Sequence, residues 1–156
     1  MTATARKVLN DCRYAHELLE LEENTGKFRL LCVSCSSLLR AVGHVLNKVD
    51  AKSNPHLKST IEEWWKNLRE SKDQHPIFFN FIELERNNIL KEYELGMFSG
   101  EVNIIVGTTG EAFTLTETMF CPMSYGAFEG EDCRDIALQA IEWWQVQIDS
   151  IEKSLP

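Results

Sequence analysis

Between Phe28 and Val49 the apolar residues fall on a single helical stripe: Phe28, Leu31, Cys32, Cys35, Leu38, Leu39, Val42, Val45, Leu46 and Val49. Steps of three and four residues, sustained over that length, put them on one face of a long α-helix. A helix with so wide an apolar face has to be covered by other elements. Ser34, Ser36, Ser37 and Gly43 are small and let another helix approach closely.

The covering elements are visible on both sides of this stripe. From about Thr4 to Glu23, Val8, Cys12, Ala15 and Leu19 recur at helical spacing, with Leu9 and Leu18 beside them. Asn24-Thr25-Gly26 reads as the end of that helix, since glycine suits a left-handed cap. A third helix is expected from Pro55 to Glu70, with proline in its first turn and Leu57, Ile61, Trp64, Trp65 and Leu68 turned inward. After a loop at Lys72–Pro76, a fourth runs to about Leu95. Its stripe is Phe78, Phe81, Ile82 and Ile89, Glu85 falls in phase with it, and Gly96 ends it. The last helix, about Asp132 to Leu155, carries Cys133, Ile136, Ala137, Ala140, Ile141, Trp144, Ile148, Ile151 and Leu155. Asp132 or Glu131 stands near its start, where the helix dipole favours acid.

Between the fourth and last helices the pattern changes. Val102–Val106 is β-branched, Gly107-Thr108-Thr109-Gly110 reads as a turn, and Ala112–Thr116 alternates apolar with polar. A hairpin within about 101–118 follows. The expected fold is mainly α: one domain over residues 1–156, an antiparallel bundle of about five helices with a small β-hairpin before the last. Glu63-Trp64-Trp65 and Glu142-Trp143-Trp144 look alike, but their flanks differ and they do not make a repeat. Each is expected to bury one Trp and leave the other near a rim, where Trp65 or Trp143 would serve an interface.

Charge and cysteine usage narrow the function classes. Sixteen basic residues against twenty-four acidic give a net charge of −8, which argues against broad, nonspecific binding to nucleic acid. Basic residues nevertheless gather around the second helix at Lys27, Arg29, Arg40, His44 and Lys48, either as a solvated face or as a local patch. The five cysteines are an odd set, and residues Met1–Lys7 lack the apolar core of a signal peptide. The expectation is a cytoplasmic protein with reduced thiols. Cys32 and Cys35 form a C-x-x-C inside the apolar stripe with no second pair, which points to buried thiols. His44 and Cys121 could be imagined as further ligands, but no spacing ties them to the pair. With no run of about eighteen apolar residues, no membrane span is expected. No metal-spaced His or carboxylate motif, P-loop or Gly-x-Ser-x-Gly elbow occurs, so neither metal nor cofactor is expected.

The polar side of the fourth helix supplies the site candidates. At 100° per residue Arg86 and Tyr93 lie nearly in register, with Asn87, Lys91 and Glu94 on an adjacent stripe. Such a strip can bind a phosphate or the matching strip of a second subunit, and the arginine fork suits either. The competing reading is an intrahelical network, with Glu83 pairing Arg86 three residues on. His16 and His44, on the first and second helices, could approach this strip, although a lone helical histidine is more often a surface group.

A helix-rich chain with Arg-Asn past its midpoint on the aromatic-rich helix Phe78–Tyr93, and polar residues a few positions on, resembles the HEPN superfamily. The segment is also similar to uncharacterised bacterial proteins of this size that carry Arg-Asn followed by Leu-Lys-Glu-Tyr. The resemblance covers about 4–96 and 130–155. It implies a helical bundle that dimerises and brings two Arg-x-His motifs into a shared cleft, where active members cut RNA without a metal. Arg86 matches the motif arginine and Asn87 the polar residue after it. The positions for histidine hold Lys91, Glu92 and Tyr93. Lysine is fully charged near neutral pH and a poor base. The resemblance therefore implies a non-catalytic homodimer that binds a partner, RNA or a nucleotide phosphate through Arg86, Asn87 and Lys91. One alternative is a ribonuclease of a toxin or defence system, with Lys91 or Tyr93 acting beside Arg86. The other is an acidic inhibitor or immunity-type protein, steered to a basic enzyme by its charge and using the hairpin and a rim Trp as hot spots.

Overall fold

A computed structural model describes residues 1–155. Among them are five α-helices and one hairpin: α1 (Ala3–Leu21), α2 (Thr25–Lys48), α3 (Pro55–Glu70), α4 (Leu84–Glu92), β1 (Val102–Ile105), β2 (Ala112–Leu115) and α5 (Cys133–Lys153). The protein is a mainly α, antiparallel bundle with a small hairpin before its last helix.

The N-terminal border of α2 lies earlier than its apolar pattern. Asn24 does not close α1; its side chain accepts the Lys27 N–H and caps α2, so Gly26 lies inside the helix. Asparagine at this position satisfies one of the first free amides, which outweighs the preference of glycine for a helix end. The α2 stripe then becomes the axis of the core, with Phe28, Cys32, Cys35, Leu39, Val42 and Leu46 buried. By length and composition α2 could cross a bilayer, but its stripe is covered by the neighbouring helices.

Side-chain links fix the directions. Arg6 meets Asp149 and Glu152, Arg13 meets Gln145, and His16 meets the Arg134 carbonyl, so α1 and α5 run antiparallel. Trp144 on α5 is fully buried and donates to the Leu39 carbonyl of α2 at 2.8 Å. Gly43 makes that close approach possible, because a Cβ there would lie 3.0 Å from the Trp144 ring and 3.2 Å from Trp65. In the second Glu-Trp-Trp triplet one Trp is thus buried and Trp143 sits at the rim. In the first, Trp64 and Trp65 are both half-buried. Asp50, just past α2, is itself buried and accepts the Thr4 and Ala5 N–H groups. A residue forty-five positions away therefore caps the first turn of α1.

The helix after the loop is not uniform. Its backbone widens to a π-helical turn at Phe78–Glu83 before continuing as α4. Glu85 lies in the buried stripe with Phe78, Phe81, Ile82 and Ile89. Its carboxylate is 1% exposed and accepts the Gly96 N–H at 2.9 Å. The helix stops at Glu92, short of Leu95, because Tyr93 takes a left-handed conformation (φ 55°, ψ 35°) that turns the chain back toward Gly96. All five cysteines are buried and free. The Cys133 thiol lies against those of Cys32 and Cys121, and Cys12 faces Cys35.

Candidate functional site

The helices α2 and α3 and the π-turn enclose an open cleft of about 610 Å³. Its α2 wall is Arg40, Gly43, His44, Asn47 and Lys48, which recur at helical spacing along one flank of the buried stripe. Trp65 and Arg69 come from α3, Lys72 from the following turn, and Phe78, Phe79 and Glu83 from the π-turn. The wide turn matters here, because π-turns displace side chains from the ordinary helical register and recur at functional positions. The floor is aromatic. The Arg40 guanidinium lies 5.7 Å from the Phe78 ring centroid and the Lys72 ammonium 5.3 Å from that of Phe79. In an acidic protein this is a local concentration of positive charge. Glu62 and Glu83 are the carboxylates on its wall, and Glu62 already pairs with Lys58 at 3.8 Å.

Arg86 does not line this cleft. Its charge nevertheless reaches Arg40 and His44 on α2, and with Tyr93 packed on Arg29 further toward the α2 N-terminus, α4 runs antiparallel to α2. Burial pushes the Arg40 pKa down; Glu83 opposes this and Arg86 reinforces it. Burial, then the charges of Arg40, Arg86 and Lys48, pushes the His44 pKa down. His44 therefore stays a neutral imidazole at neutral pH, able to accept a proton. Among the described residues Arg86 forms no ion pair with a carboxylate. Its recorded partner is the Asn87 side-chain oxygen, which accepts from the guanidinium at 3.0 Å. Asn87 thus orients Arg86 without neutralising it.

Of the strip expected along the fourth helix, Arg86, Asn87 and Lys91 stay on α4, and the part from Tyr93 onward leaves it. Arg86 and Asn87 remain together, but the left-handed turn at Tyr93 removes it from helical register. The Tyr93 ring packs instead under Arg29, 4.9 Å from the guanidinium. Arg29 is eleven residues before Arg40 on α2, about 16 Å along the axis. Lys91 is exposed and makes no hydrogen bond or ion pair among the described residues. Of the basic run noted around α2, Arg40, His44 and Lys48 converge in the cleft, while Arg29 and Lys27 do not line it. Arg69, Lys72 and Phe79 belong to the cleft although sequence reasoning did not single them out. The recurrence of Arg40, His44, Asn47 and Lys48 on one face was a usable signal for the α2 wall. Nothing in the sequence placed α3 opposite it.

Of the other three histidines, His56 is exposed at the start of α3 and two are engaged elsewhere. His16 Nε2 lies 2.9 Å from the Arg134 carbonyl oxygen, and His75 Nδ1 accepts the Trp143 indole N–H at 3.2 Å. A second cavity of about 480 Å³ opens at the start of α2, lined by Phe28, Arg29, Leu95, Met97 and Glu117 among others. It is mostly apolar, and its arginine is the one stacked on Tyr93. Among the described residues no cluster of three His, Cys, Asp or Glu is placed to hold a metal ion. Comparison with protein-family models, with curated proteins and with solved structures finds no match to this chain.

Proposed function

We propose that this chain is a non-catalytic, HEPN-like helical protein that binds a phosphate group of RNA or a nucleotide. Arg86, oriented by Asn87, is the principal anion contact, Arg40 and Lys48 supply further positive charge, and neutral His44 offers a hydrogen bond. Two copies meeting across α2 and α4 would join two such clefts into one surface. The observation that supports this reading is the Arg86 guanidinium, which has no carboxylate partner among the described residues and lies within electrostatic reach of Arg40 and His44 on the cleft wall. A guanidinium in that state gains a charge-assisted, bidentate partner when a phosphate arrives. Lys91, exposed on α4 one turn on from Asn87, is the third contact of this reading.

The test is titration of a labelled oligoribonucleotide and of a nucleoside triphosphate into purified protein. Binding should weaken with salt, and Arg86→Ala should weaken it about tenfold or more, the scale of a lost charged hydrogen bond. Lys91→Ala should weaken it less than Arg86→Ala does, the RNA should remain intact, and light scattering should give a dimer. Binding that Arg86→Ala and Arg40→Ala leave unchanged would remove the reading.

One observation favours a ribonuclease as the second reading. His44, neutral and beside Arg86, is the kind of base that Lys91 and Tyr93 cannot be. It would take the proton of a ribose 2′-hydroxyl as that oxygen attacks phosphorus. Arg86 would hold the developing charge while the 5′-oxygen leaves with a proton from solvent. RNA cleavage abolished by both His44→Ala and Arg86→Ala would establish this second reading in place of the first.

A further inference from the structure

The hairpin stands outside the core and leaves apolar side chains exposed, Ile104 and Phe113 on one face and Ile105 on the other, with Val102 and Leu115 half-buried. The register pairs Val102 with Leu115 and Ile104 with Phe113, which puts these four on one side. The other side carries Asn103 and Thr114, joined by a 2.8 Å hydrogen bond, together with the Ile105–Ala112 pair, of which Ile105 is also exposed. Ile104 is 45% and Phe113 54% exposed, and no residue from 98 to 120 belongs to the buried core or packs against it. A lone two-stranded hairpin is marginally stable in water. Exposed strand pairs are commonly protected by lysine or proline, and neither occurs between Gly100 and Cys121.

The charge of this lobe says what can cover it. From Glu92 to Asp132 the sequence holds eight carboxylates and no Lys, Arg or His. Asp132 is paired with Arg134, which also meets the Thr118 and Met119 carbonyls, and Glu101, Glu111 and Glu117 are the carboxylates of the hairpin itself. Glu111 and Glu117 continue the Phe113–Leu115 alternation at its two ends. Two copies joined hairpin to hairpin would bring like charges together, which is unfavourable. We infer that the Val102/Ile104/Phe113/Leu115 face of the hairpin docks a second protein, through an extended segment with an apolar face bordered by lysine or arginine. Apolar contact would supply the affinity, and the acidic border would supply steering and choice of partner.

The probe is a short fluorescein-labelled peptide of alternating valine and lysine, followed by fluorescence anisotropy against the full chain. Two controls are a peptide of the same composition with its lysines in one block, and an alternating valine–glutamate peptide. The alternating cationic peptide should bind best. Ile104→Ser combined with Phe113→Ser should weaken it about tenfold or more, as expected for apolar anchors. Glu111→Lys should also weaken it, and Arg86→Ala should not, which separates this surface from the cleft. The variants lie outside the core, so an unchanged melting temperature certifies the fold. The inference is overturned by equal binding of the block peptide, by no binding of the alternating one, or by binding that the double serine variant leaves unchanged. It is also overturned if light scattering shows a dimer that the double serine variant dissociates, since the occupant would then be a second copy.

Discussion

At the scale of single residues, the fourth helix carries two charged side chains side by side with opposite fates. Arg86 has the Asn87 side chain as its hydrogen-bond partner, while Glu85 is turned into the core against the Gly96 N–H. Removing a carboxylate from water disfavours its charged form, and burial raises the Glu85 pKa above its ordinary 4.5, partly opposed by the Gly96 hydrogen bond. The folded chain therefore keeps this proton at pH values where the unfolded chain has lost it. The contribution to stability falls as pH rises past 4.5 and levels off above the folded pKa. Glu85→Gln retains an acceptor for Gly96 and has nothing to ionise. It should melt higher than the parent at about pH 7, with the difference shrinking toward about pH 4. Thermal melts at the two pH values check this, and a gap independent of pH would show that Glu85 does not titrate in this range. That Glu85 falls in the apolar phase was legible in the sequence. The amide that receives it was not, because it depends on a left-handed Tyr93 returning the chain over the helix.

At the scale of elements, local capping and distant capping behave differently. Asn24, Asn54 and Asp132 each cap the helix that follows them, through side chains that accept nearby N–H groups. Such caps are written in short sequence motifs. The start of α1 is held by Asp50 instead, across the fold. Asp50→Ala should cost about 0.5–2 kcal/mol of stability, the usual range for a lost cap, with the upper half expected because this carboxylate is buried. Urea denaturation measures it, and a loss below that range would mean solvent replaces the cap. Asp50 reads from the sequence as one residue of a linker, since only the antiparallel packing of α1 on α2 brings it to the Thr4 and Ala5 amides. The π-turn escaped sequence reading for a related reason. Its Phe-rich segment fits an ordinary helical stripe, and the widening that aims Phe79 and Glu83 into the cleft depends on what packs around it.

At the scale of the whole molecule, the core is one continuous unit tied at its ends. Arg6 grips Glu152 and Asp149, and Thr2 donates to Glu152 as well, so the first and last helices close on each other. The thiols report on that unit. All five cysteines are at most 3% exposed. Burial pushes Cys12 up to about 12 and Cys35 up to about 11. Thiolates are the reactive form, so native protein should resist iodoacetamide at mildly alkaline pH, and all five should react once denaturant unfolds it. Mass spectrometry after a timed pulse gives the count. Rapid labelling of the Cys121 and Cys133 pair alone would mean that the hairpin side opens independently of the bundle.

The sequence by itself determined the helices, the hairpin, the buried stripe and the burial of the C-x-x-C thiols. Each follows from periodicity and local propensity, which act over a few residues. It also picked out Arg86 and Asn87 as neighbours with a free polar side. Tertiary structure decided which groups share a site. Tyr93 left the strip because one residue adopted a left-handed turn, and Lys91 stayed in solvent. Arg40, His44, Arg69 and Lys72 met because α2 and α3 pack with those faces toward one opening. A helical repeat fixes the face on which a side chain lies, but the neighbour that face meets is set by packing between segments distant in sequence, and no short-range pattern records it.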